Sequence, residues 1–456
     1  MLADTSSSTE RLVCMVEGPK RVGKSTFAKL LLNRLLSKSE ISLSRFEVRV
    51  TDVLRCRFEH VAYLDTDLGQ PDFTPPGIVS LSVLDRPVLG QSAFSLYLNA
   101  LADFIETTGP SFTHLSLPVA SHFLGSTSPA SDPAAYLAAI DALIAHYTHE
   151  IEYPLLDDLP TRAPANGKIK DRIPLVINTQ GWIKGLGGDL LEKIKATSHP
   201  THLFRFEAPV EEGRESWNEE SQQQVEGGSP SVVYRLDVAE ASPLDSKWSP
   251  ADLRTLAFIS YFHSRFPAAP HRSSTPINSF PNGWDFSQAL VERTPWELDW
   301  KDRGKLSEVH FLAGEIDAEQ VLYALNGAIV GIVTSTAPPN DISKAFPYSI
   351  DSPSPNPATS HCHSLALIRS ISPVDTLLHL LLPSSPSTIT SSGDLSEGKS
   401  GILLIKGELE LPICLMLDFN APSTGVMEEV AMPYLSIEEG VGRKKVRRNL
   451  MRRGQN

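Results

Sequence analysis

Residues 18–25, GPKRVGKS, constrain the fold of this 456-residue chain more than any other segment. They match the pattern GxxxxGK[ST], whose backbone N–H groups hold phosphate when the loop joins a strand to a helix. That setting is present, because the apolar run 11–17 predicts a buried strand and apolar residues at helical spacing begin at Phe27. The segment therefore predicts a phosphate-binding loop (P-loop) in an α/β domain.

The residue types of this loop suit a nucleoside triphosphate. Glycine lets the backbone curl so that several N–H groups point at one phosphate chain. We expect Lys24 to reach the β- and γ-phosphates, the Ser25 hydroxyl to ligate Mg²⁺ and Thr26 to touch the α-phosphate, although both hydroxyls could simply cap the helix. The residues predicted to surround the nucleotide are Gly18, Pro19, Lys20, Arg21, Val22, Gly23, Lys24, Ser25 and Thr26.

A second polar segment, DTDLGQ at 65–70, closes a predicted apolar strand at 60–65. P-loop enzymes place a Mg²⁺-directed acid at the end of such a strand. On an extended segment Asp65 and Asp67 would point the same way. We expect one of them to hold the metal through water and the other to accept a proton from an attacking hydroxyl. Gln70 is predicted either to orient substrate or water, or to be structural.

The remaining segments of the first half alternate predicted strands with predicted helices, which indicates an α/β fold with a mainly parallel sheet. After a Pro/Ser-rich stretch the chain is strand-rich with one helix. The predicted fold class is α/β, a P-loop NTPase core followed by a smaller β-rich α+β C-terminal domain. The predicted boundaries are a disordered N-terminus at 1–10, the P-loop domain at 11–270, a linker at 271–285, the second domain at 286–442 with a low-complexity insertion at 383–401, and a basic tail at 443–456.

The net charge of −13 argues by itself against a nucleic-acid-binding protein, which usually has a basic surface. The charge is unevenly distributed, however. Residues 443–456 hold seven Lys and Arg and no acid, so the remaining residues carry 34 basic and 54 acidic groups. No apolar run approaches 18 residues, so no membrane partner is expected. The four widely spaced Cys residues fit a reducing compartment.

Four segments together resemble the eukaryotic polynucleotide 5′-hydroxyl kinases. GPKRVGKST resembles that family's P-loop, and DTDLGQ followed by PPG resembles its second motif. HFLGSTSP at 122–129 and VINTQGWIKG at 176–185 resemble two further family segments. Later segments, such as ALNGAIVGIV at 324–333 and KGELELP at 406–412, are similar to the nucleolar pre-rRNA-processing branch.

The resemblance implies a role for particular side chains. The family's catalytic aspartate corresponds to Asp67, which would ligate Mg²⁺ indirectly and activate the RNA 5′-hydroxyl. Its substrate clasp corresponds to Thr127 and Trp182, and an indole can stack on a terminal base without reading sequence. Lys184 is expected either to hold a backbone phosphate or to face solvent. Arg254 corresponds to a lid arginine over the transferring phosphoryl group, or is a surface helix residue.

The resemblance also implies ATP and Mg²⁺ as cofactors, RNA 5′-hydroxyl ends as substrate, a pre-rRNA endoribonuclease as partner and the nucleolus of the nucleus as location. Family members usually carry a β-rich domain before the P-loop, and this chain is expected to lack it. One alternative is a nucleotide-binding scaffold of an endonuclease complex with little catalysis. A hydrolytic ATPase or GTPase switch is ranked last, since no NKxD-type guanine motif is present.

Overall fold

The computed structural model describes thirteen stretches of the chain. They are residues 11–37, 58–88, 113–153, 172–207, 231–238, 249–267, 277–281, 283–302, 306–312, 314–336, 346–350, 352–383 and 401–416. The predicted disordered N-terminus and basic tail, and residues 384–400 of the predicted insertion, lie outside them.

The strands of the first sheet are β1 (Val13–Glu17), β2 (Val61–Asp65), β3 (Ile78–Leu84), β4 (Ala120–Phe123), β5 (Leu175–Asn178), β6 (His202–Glu207) and β7 (Val232–Asp237). Those of the second sheet are β8 (Trp296–Asp299), β9 (Leu306–Phe311), β10 (Ile329–Ser335), β11 (Ser360–Ser372), β12 (Leu377–Leu381) and β13 (Gly401–Lys406). The α-helices are α1 (Lys24–Leu36), α2 (Pro133–His146), α3 (Leu186–Ser198), α4 (Pro250–His263) and α5 (Val321–Leu325). A π-helical turn spans Tyr147–Ile151, and 3₁₀ turns span Leu290–Glu292 and Ile413–Met416.

The first sheet has the strand order β4-β3-β2-β5-β1-β6-β7. The five strands from β2 to β7 in this order pair in parallel, while β3 and β4 extend the sheet in antiparallel fashion. Asn178 of β5 is in register with Val16 of β1 on one side and with Asp65 of β2 on the other. Ligands bind beyond the carboxyl ends of such strands. The predicted α/β core with a mainly parallel sheet is confirmed.

Helices cover both faces of this sheet. Side chains alternate along β1, so Val13 and Met15 join one apolar core while Cys14 and Val16 join the other. The first core includes the buried faces of α2 and α3, and the second includes the buried leucines of α1. Each fully buried side chain of this kind contributes about 1.5–3 kcal/mol, so both faces hold the central strand firmly.

The second sheet has the order β8-β12-β11-β10-β13-β9, and its pairs are antiparallel except β13 with β9. One face packs on α4, whose Phe258, Ile259 and Phe262 join a core with residues of β10, β11 and β13. The Tyr261 hydroxyl accepts a hydrogen bond from Leu365 N at 3.0 Å. The smaller β-rich part predicted after the P-loop core is confirmed, and α4 connects the two parts.

Three elements were not predicted from the sequence: β4, β8 and α3. The two strands are short, and α3 begins in the glycine-rich run 185–188, which reads as a loop. Part of the predicted linker is packed, since Asn278 Oδ1 accepts a hydrogen bond from Val83 N at 2.9 Å. In the described stretches, no helix combines the length and apolar character needed to cross a membrane.

Candidate functional site

The P-loop follows β1 at the centre of the sheet, and its backbone is curled as the motif requires. Gly18 and Gly23 have φ values of +149° and +94°, and Arg21 adopts φ +64° between them. A β-carbon at Gly18 would lie 2.7 Å from Phe206 Cβ, so only glycine fits beside β6. Gly23 is the N-cap of α1 and offers no side chain to its first N–H groups. Those donors are therefore available to an anion.

Lys24 is buried at the start of α1, with 7% of its surface exposed. Its Nζ donates a hydrogen bond to Pro19 O at 2.6 Å, so the side chain folds back along the inside of the loop. Burial lowers the pKa of Lys24 to about 8, and the nearby Asp67 carboxylate opposes that shift. The predicted lysine and the predicted catalytic acid thus lie within electrostatic reach of each other.

Ser25 is connected to β2 through Asn178 at the end of β5. Asn178 Nδ2 lies 3.3 Å from the Ser25 hydroxyl and 3.2 Å from Asp65 Oδ1, and donates to both. Asn178 lies in the VINTQGWIKG segment, and the sequence motifs predict no role for it. The sequence signal for Asn178 is a polar residue at the end of a predicted strand, but its neighbours depend on the strand order.

The two acids of DTDLGQ do not lie on one extended segment. β2 ends at Asp65, whose Oδ1 accepts a hydrogen bond from Asp67 N at 3.2 Å, and this turn takes Asp67 out of the strand. Asp67 Oδ1 accepts hydrogen bonds from Gly69 N at 2.9 Å and Gln70 N at 3.2 Å. The alternation of side-chain directions that an extended segment would have therefore ends at Asp65 and does not reach Asp67. Asp65 is fully buried, whereas Asp67 is partly exposed.

Burial dominates the protonation of both acids. It raises the pKa of Asp65 well above its ordinary value, and the negative charge of Asp72 adds to that shift. Burial also raises the pKa of Asp67, while the two backbone N–H groups and Lys24 lower it. A raised pKa makes a carboxylate a stronger proton acceptor near neutral pH.

A third acid, Asp72, was not predicted. The Tyr63 hydroxyl donates to its Oδ2 at 2.6 Å, and Lys29 Nζ lies 2.7 Å from its Oδ1. Asp72 N in turn donates to Asp65 Oδ2 at 2.6 Å. The backbone N–H of Asp72 thus holds Oδ2 of the buried Asp65 in place. Nothing in the sequence distinguishes it from the other acids of the segment.

Thr127 lies beside the DTDLGQ loop and is exposed. A β-carbon at Gly69 would lie 3.2 Å from Thr127 O and 3.3 Å from Asp67 Oδ1, so the two loops are in contact. Gln70 is exposed at the same place, and only its backbone N–H has a described partner. The structure therefore brings these two predicted substrate residues next to Asp67.

The NTQGW segment, which follows β5, abuts the P-loop. A β-carbon at Gly181 would lie 2.8 Å from Lys20 Cα and 2.9 Å from Lys20 N. Trp182 is half-buried, and its ring packs so closely on Gly187 that a β-carbon there would lie 2.4 Å from Cγ. Lys184 is exposed. The Trp182 indole is thus partly packed against Gly187 and partly exposed to solvent. Its predicted stacking role stays a prediction.

Arg254 lies in the second turn of α4, the helix that packs on the second sheet. In the described part of the chain, no hydrogen bond or ion pair joins it to the P-loop. It is partly exposed and therefore accessible to a ligand. Its predicted lid role also stays a prediction.

The donors present fit a triphosphate with Mg²⁺. The side-chain Nε2 of Gln180, buried in the loop that abuts the P-loop, has no hydrogen-bond partner among the described residues. Those residues also contain no cluster of three or more His, Cys, Asp or Glu arranged to hold a metal by themselves. Mg²⁺ typically uses one or two protein oxygens together with substrate phosphates, which suits the hydroxyl of Ser25 and the carboxylate of Asp67.

Residues 52–264 match the family model described as mRNA cleavage and polyadenylation factor CLP1 P-loop. The Polynucleotide 5′-hydroxyl-kinase GRC3 of Cryptococcus neoformans is 34% identical, covering 97% of this chain and 56% of that protein. The grc3 kinase of Schizosaccharomyces pombe is 26% identical over 96% of this chain and 54% of its own. NOL9 of Arabidopsis thaliana is 25% identical over 91% of both.

The chain thus spans little more than half the length of the fungal relatives it matches. Among solved structures, a chain of the wild-type Clp1p–Pcf11p complex is 15% identical with a TM-score of 0.49, covering 89% of this chain and 76% of that one. The family resemblance predicted from the sequence motifs is confirmed by the curated relatives and the family model.

Proposed function

We propose that this homologue of the polynucleotide 5′-hydroxyl kinases transfers the γ-phosphoryl group of ATP to the 5′-hydroxyl of RNA. The observation that carries the proposal is the arrangement at the P-loop: the Lys24 side chain folds along the inside of the loop, and its charge lies within electrostatic reach of the Asp67 carboxylate. A cation suited to the β- and γ-phosphates is thus combined with a carboxylate whose pKa is raised by burial. Phosphoryl transfer to an alcohol needs a cation that stabilises the negative charge on the phosphoryl oxygens and a base that accepts the hydroxyl proton.

The transfer is mainly a matter of position. The 5′-hydroxyl oxygen attacks the γ-phosphorus, the bond to the β–γ bridging oxygen breaks, ADP leaves and Asp67 takes the hydroxyl proton. The backbone N–H groups of Gly69 and Gln70 hold the Asp67 carboxylate in place for this role. Mg²⁺ would be held by Ser25 directly and by Asp67 indirectly, and it would neutralise negative charge on the phosphates. A positioned base contributes about 10²–10⁴-fold to the rate.

The RNA end would lie near the loops that follow β2 and β5, next to the P-loop. Thr127 stands beside the Asp67 loop, and Trp182 follows Gly181, which abuts the P-loop. We propose that the indole stacks on the terminal base, that Gln70 and Thr127 contact the terminal nucleotide, that Lys184 holds a phosphate and that Arg254 covers the transferring group. Stacking is worth about 1–3 kcal/mol per base and does not discriminate sequence.

We further propose that the substrate arises in rRNA processing, in the nucleolus. A 5′-hydroxyl end needs a nuclease that leaves it, so an endoribonuclease is the partner whose product this site would use. The motif resemblance supports this assignment. Immunofluorescence of the tagged protein with a nucleolar marker, together with co-purification of a nuclease that leaves 5′-hydroxyl ends, tests it; a cytoplasmic signal overturns the location.

The activity is tested with purified protein, γ-labelled ATP and a 5′-hydroxyl oligoribonucleotide. We expect wild type to label the RNA, and Lys24→Ala and Asp67→Asn to lose at least about 10²-fold of that activity. Lys193→Ala and Asp141→Asn change exposed residues of α3 and α2 and serve as matched controls. ATP binding without transfer, even with a nuclease partner present, would instead identify a nucleotide-dependent scaffold. Phosphate release that RNA does not affect would identify a hydrolytic switch.

A further inference from the structure

Three glycines from distant segments meet at one point, called here the glycine junction: Gly77, Gly125 and Gly407. A β-carbon at Gly407 would lie 2.3 Å from Gly125 Cα, and one at Gly125 would lie 2.5 Å from Gly407 Cα. One at Gly77 would lie 3.5 Å from Gly125 Cα and 2.7 Å from Leu409 Cδ1. Gly77 and Gly125 also have φ values of +86° and +61°. No larger residue fits at Gly125 or Gly407 without separating the two backbones.

Backbone hydrogen bonds run through the junction. The N–H groups of Glu408 and Leu409 donate to Gly125 O at 2.7 Å and 3.1 Å. Leu124 and Gly125 in turn donate to Gly77 O at 2.8 Å and 3.2 Å. Gly77 N donates to Leu68 O at 2.9 Å, and Leu68 follows Asp67 directly. The segment after β13 is therefore hydrogen-bonded, step by step, to the loop of the predicted catalytic acid.

A chain of side chains fixes the loop that carries Thr127. Ser131 Oγ donates to Glu408 Oε2 at 3.2 Å and lies 3.0 Å from Ser126 Oγ. Ser126 Oγ accepts a hydrogen bond from Ser128 N at 3.3 Å, which bends the loop around the exposed Thr127. Glu408 of the second domain thus holds both sides of Thr127 through hydroxyl groups.

The strand that leads into this loop also rests on the second sheet. The Ser121 hydroxyl in β4 donates to Cys362 O of β11 at 2.7 Å. A β-carbon at Gly331 of β10 would lie 2.6 Å from the Phe123 ring. The loop at 124–131 is therefore supported by the second sheet at its start and along its length.

The P-loop has different supports. Its described contacts come from Asn178, Gly181 and Phe206, all of which belong to the first sheet or its loops. The second sheet can therefore affect the RNA side of the site more directly than it affects the P-loop itself.

We propose that the second domain is part of the substrate site: Gly407 and Glu408 are positioning residues that set the Thr127 loop against Asp67. This inference rests on the kinase activity proposed above. It assigns to residues 407–409 a role in holding the RNA end, in addition to any role of the second domain in binding partners.

Gly407→Ala tests the proposal. Its added methyl group forces the segment away from Gly125, and a displacement of about 1 Å at a reacting group can cost about 10²-fold. We expect the KM for RNA to rise about tenfold or more, with Kd for ATP unchanged within about twofold. Gly401→Ala is the matched control: its β-carbon would lie 2.6 Å from Ser307 Cβ, which is also a close contact, but at the other end of β13 and away from Gly125.

The outcomes distinguish the proposed kinase activity from the proposed positioning role of Gly407. If wild type labels no RNA, the proposed activity fails. If wild type is active and Gly407→Ala and Gly401→Ala change the KM for RNA equally, or if Gly407→Ala weakens ATP binding as much as RNA use, the positioning role is overturned while the activity stands.

Glu408→Ala provides a test that does not depend on a tightly packed glycine, since Glu408 is exposed and its side chain is not part of a core. One exposed hydrogen bond corresponds to about a twofold to tenfold effect, which we expect in the KM for RNA. Glu408→Gln keeps an acceptor for Ser131 and should restore the wild-type KM, while Glu410→Ala, an exposed neighbour, should leave it unchanged. Equal KM values for Glu408→Ala and Glu410→Ala would overturn the role of Glu408.

Discussion

Asn178 and Ser25 join the end of β5 to the start of α1, with Nδ2 of the amide 3.3 Å from the serine hydroxyl. The same amide lies 3.2 Å from Asp65 Oδ1. One buried side chain therefore sets the spacing between the predicted metal-binding hydroxyl and Asp65 of β2. The geometry of the site thus depends on a residue for which the sequence predicted no role.

Asn178→Ala should weaken the response to Mg²⁺. Loss of a residue that orients a metal ligand typically costs about 10–100-fold in metal affinity, so the Mg²⁺ concentration for half-maximal activity should rise by that order. The unfolding free energy should fall by about 1–3 kcal/mol, because Asp65 loses a buried partner. Ser198→Ala removes a buried hydroxyl at the far end of α3 and should lower stability without changing the Mg²⁺ response. An unchanged Mg²⁺ titration for Asn178→Ala would contradict this role.

ATP affinity should fall as the pH rises above about 8. Burial lowers the pKa of Lys24 to about 8 in the free protein, and bound phosphates raise it again. Below that pH the lysine is already charged, and above it nucleotide binding must take up a proton. The dissociation constant should therefore increase by up to about tenfold per pH unit above 8. Titration calorimetry between about pH 7 and 9.5 measures it.

Lys24→Arg is the control for this pH dependence, because arginine stays charged throughout the range. Its affinity for ATP should be lower than that of wild type but nearly independent of pH. A wild-type dissociation constant that stays flat up to about pH 9.5 would refute the assignment.

Gly181→Ala should damage nucleotide binding without touching the P-loop sequence. The new methyl group would meet Lys20 Cα at 2.8 Å, and backbone cannot give way as a side chain can. We expect Kd for ATP to rise about tenfold or more, since small displacements at a binding loop cost this much. Gly188→Ala, whose nearest neighbour would be Ile183 O at 3.1 Å, is the matched control. Equal ATP affinities in the two variants would show that the close contact between Gly181 and Lys20 does not affect ATP binding.

Glu17→Ala should be strongly destabilising. Glu17, the last residue of β1, is 1% exposed and lies 2.6 Å from Arg205 Nε and 2.8 Å from Lys195 Nζ. Removing one member of a buried ion pair costs about 3–5 kcal/mol, because the remaining charges lose their partner. Glu192→Ala removes the 66% exposed partner of the same lysine and should cost at most about 1 kcal/mol. Urea unfolding compares the two, and similar midpoints would contradict the prediction.

The sequence was sufficient to predict the position of the first loop. GPKRVGKS requires a strand before it and a helix after it, and β1 and α1 occupy those positions. Local motifs also single out Lys24 and Asp67, whose charges interact in the structure, while their catalytic roles stay predictions. The capping box that begins α4, with Ser249 and Asp252 bonded to each other's backbone, explains why that helix was predicted at the right place.

The contacts between distant segments could not be predicted in the same way. Nothing local in Gly407 indicates that it packs on Gly125, and nothing in Asn178 indicates that β5 lies between β1 and β2. The turn at Asp65 is set by one carboxylate–amide hydrogen bond, and an extended reading of DTD misses it. Such features depend on strand order and on the approach of two backbones, which the residue types do not encode locally.

The strand order also fixes a distance. Because β5 separates β1 from β2, the P-loop and the acid-bearing strand end two strand spacings apart, about 9–10 Å. The loop after β5 occupies part of this interval, and Lys24 and Asp67 lie within electrostatic reach of each other from its two sides. On adjacent strands the two loops would be only one strand spacing apart, about 5 Å, which leaves less room for a phosphate chain and its acceptor. The fold thus sets the size of the reacting assembly before any side chain is chosen.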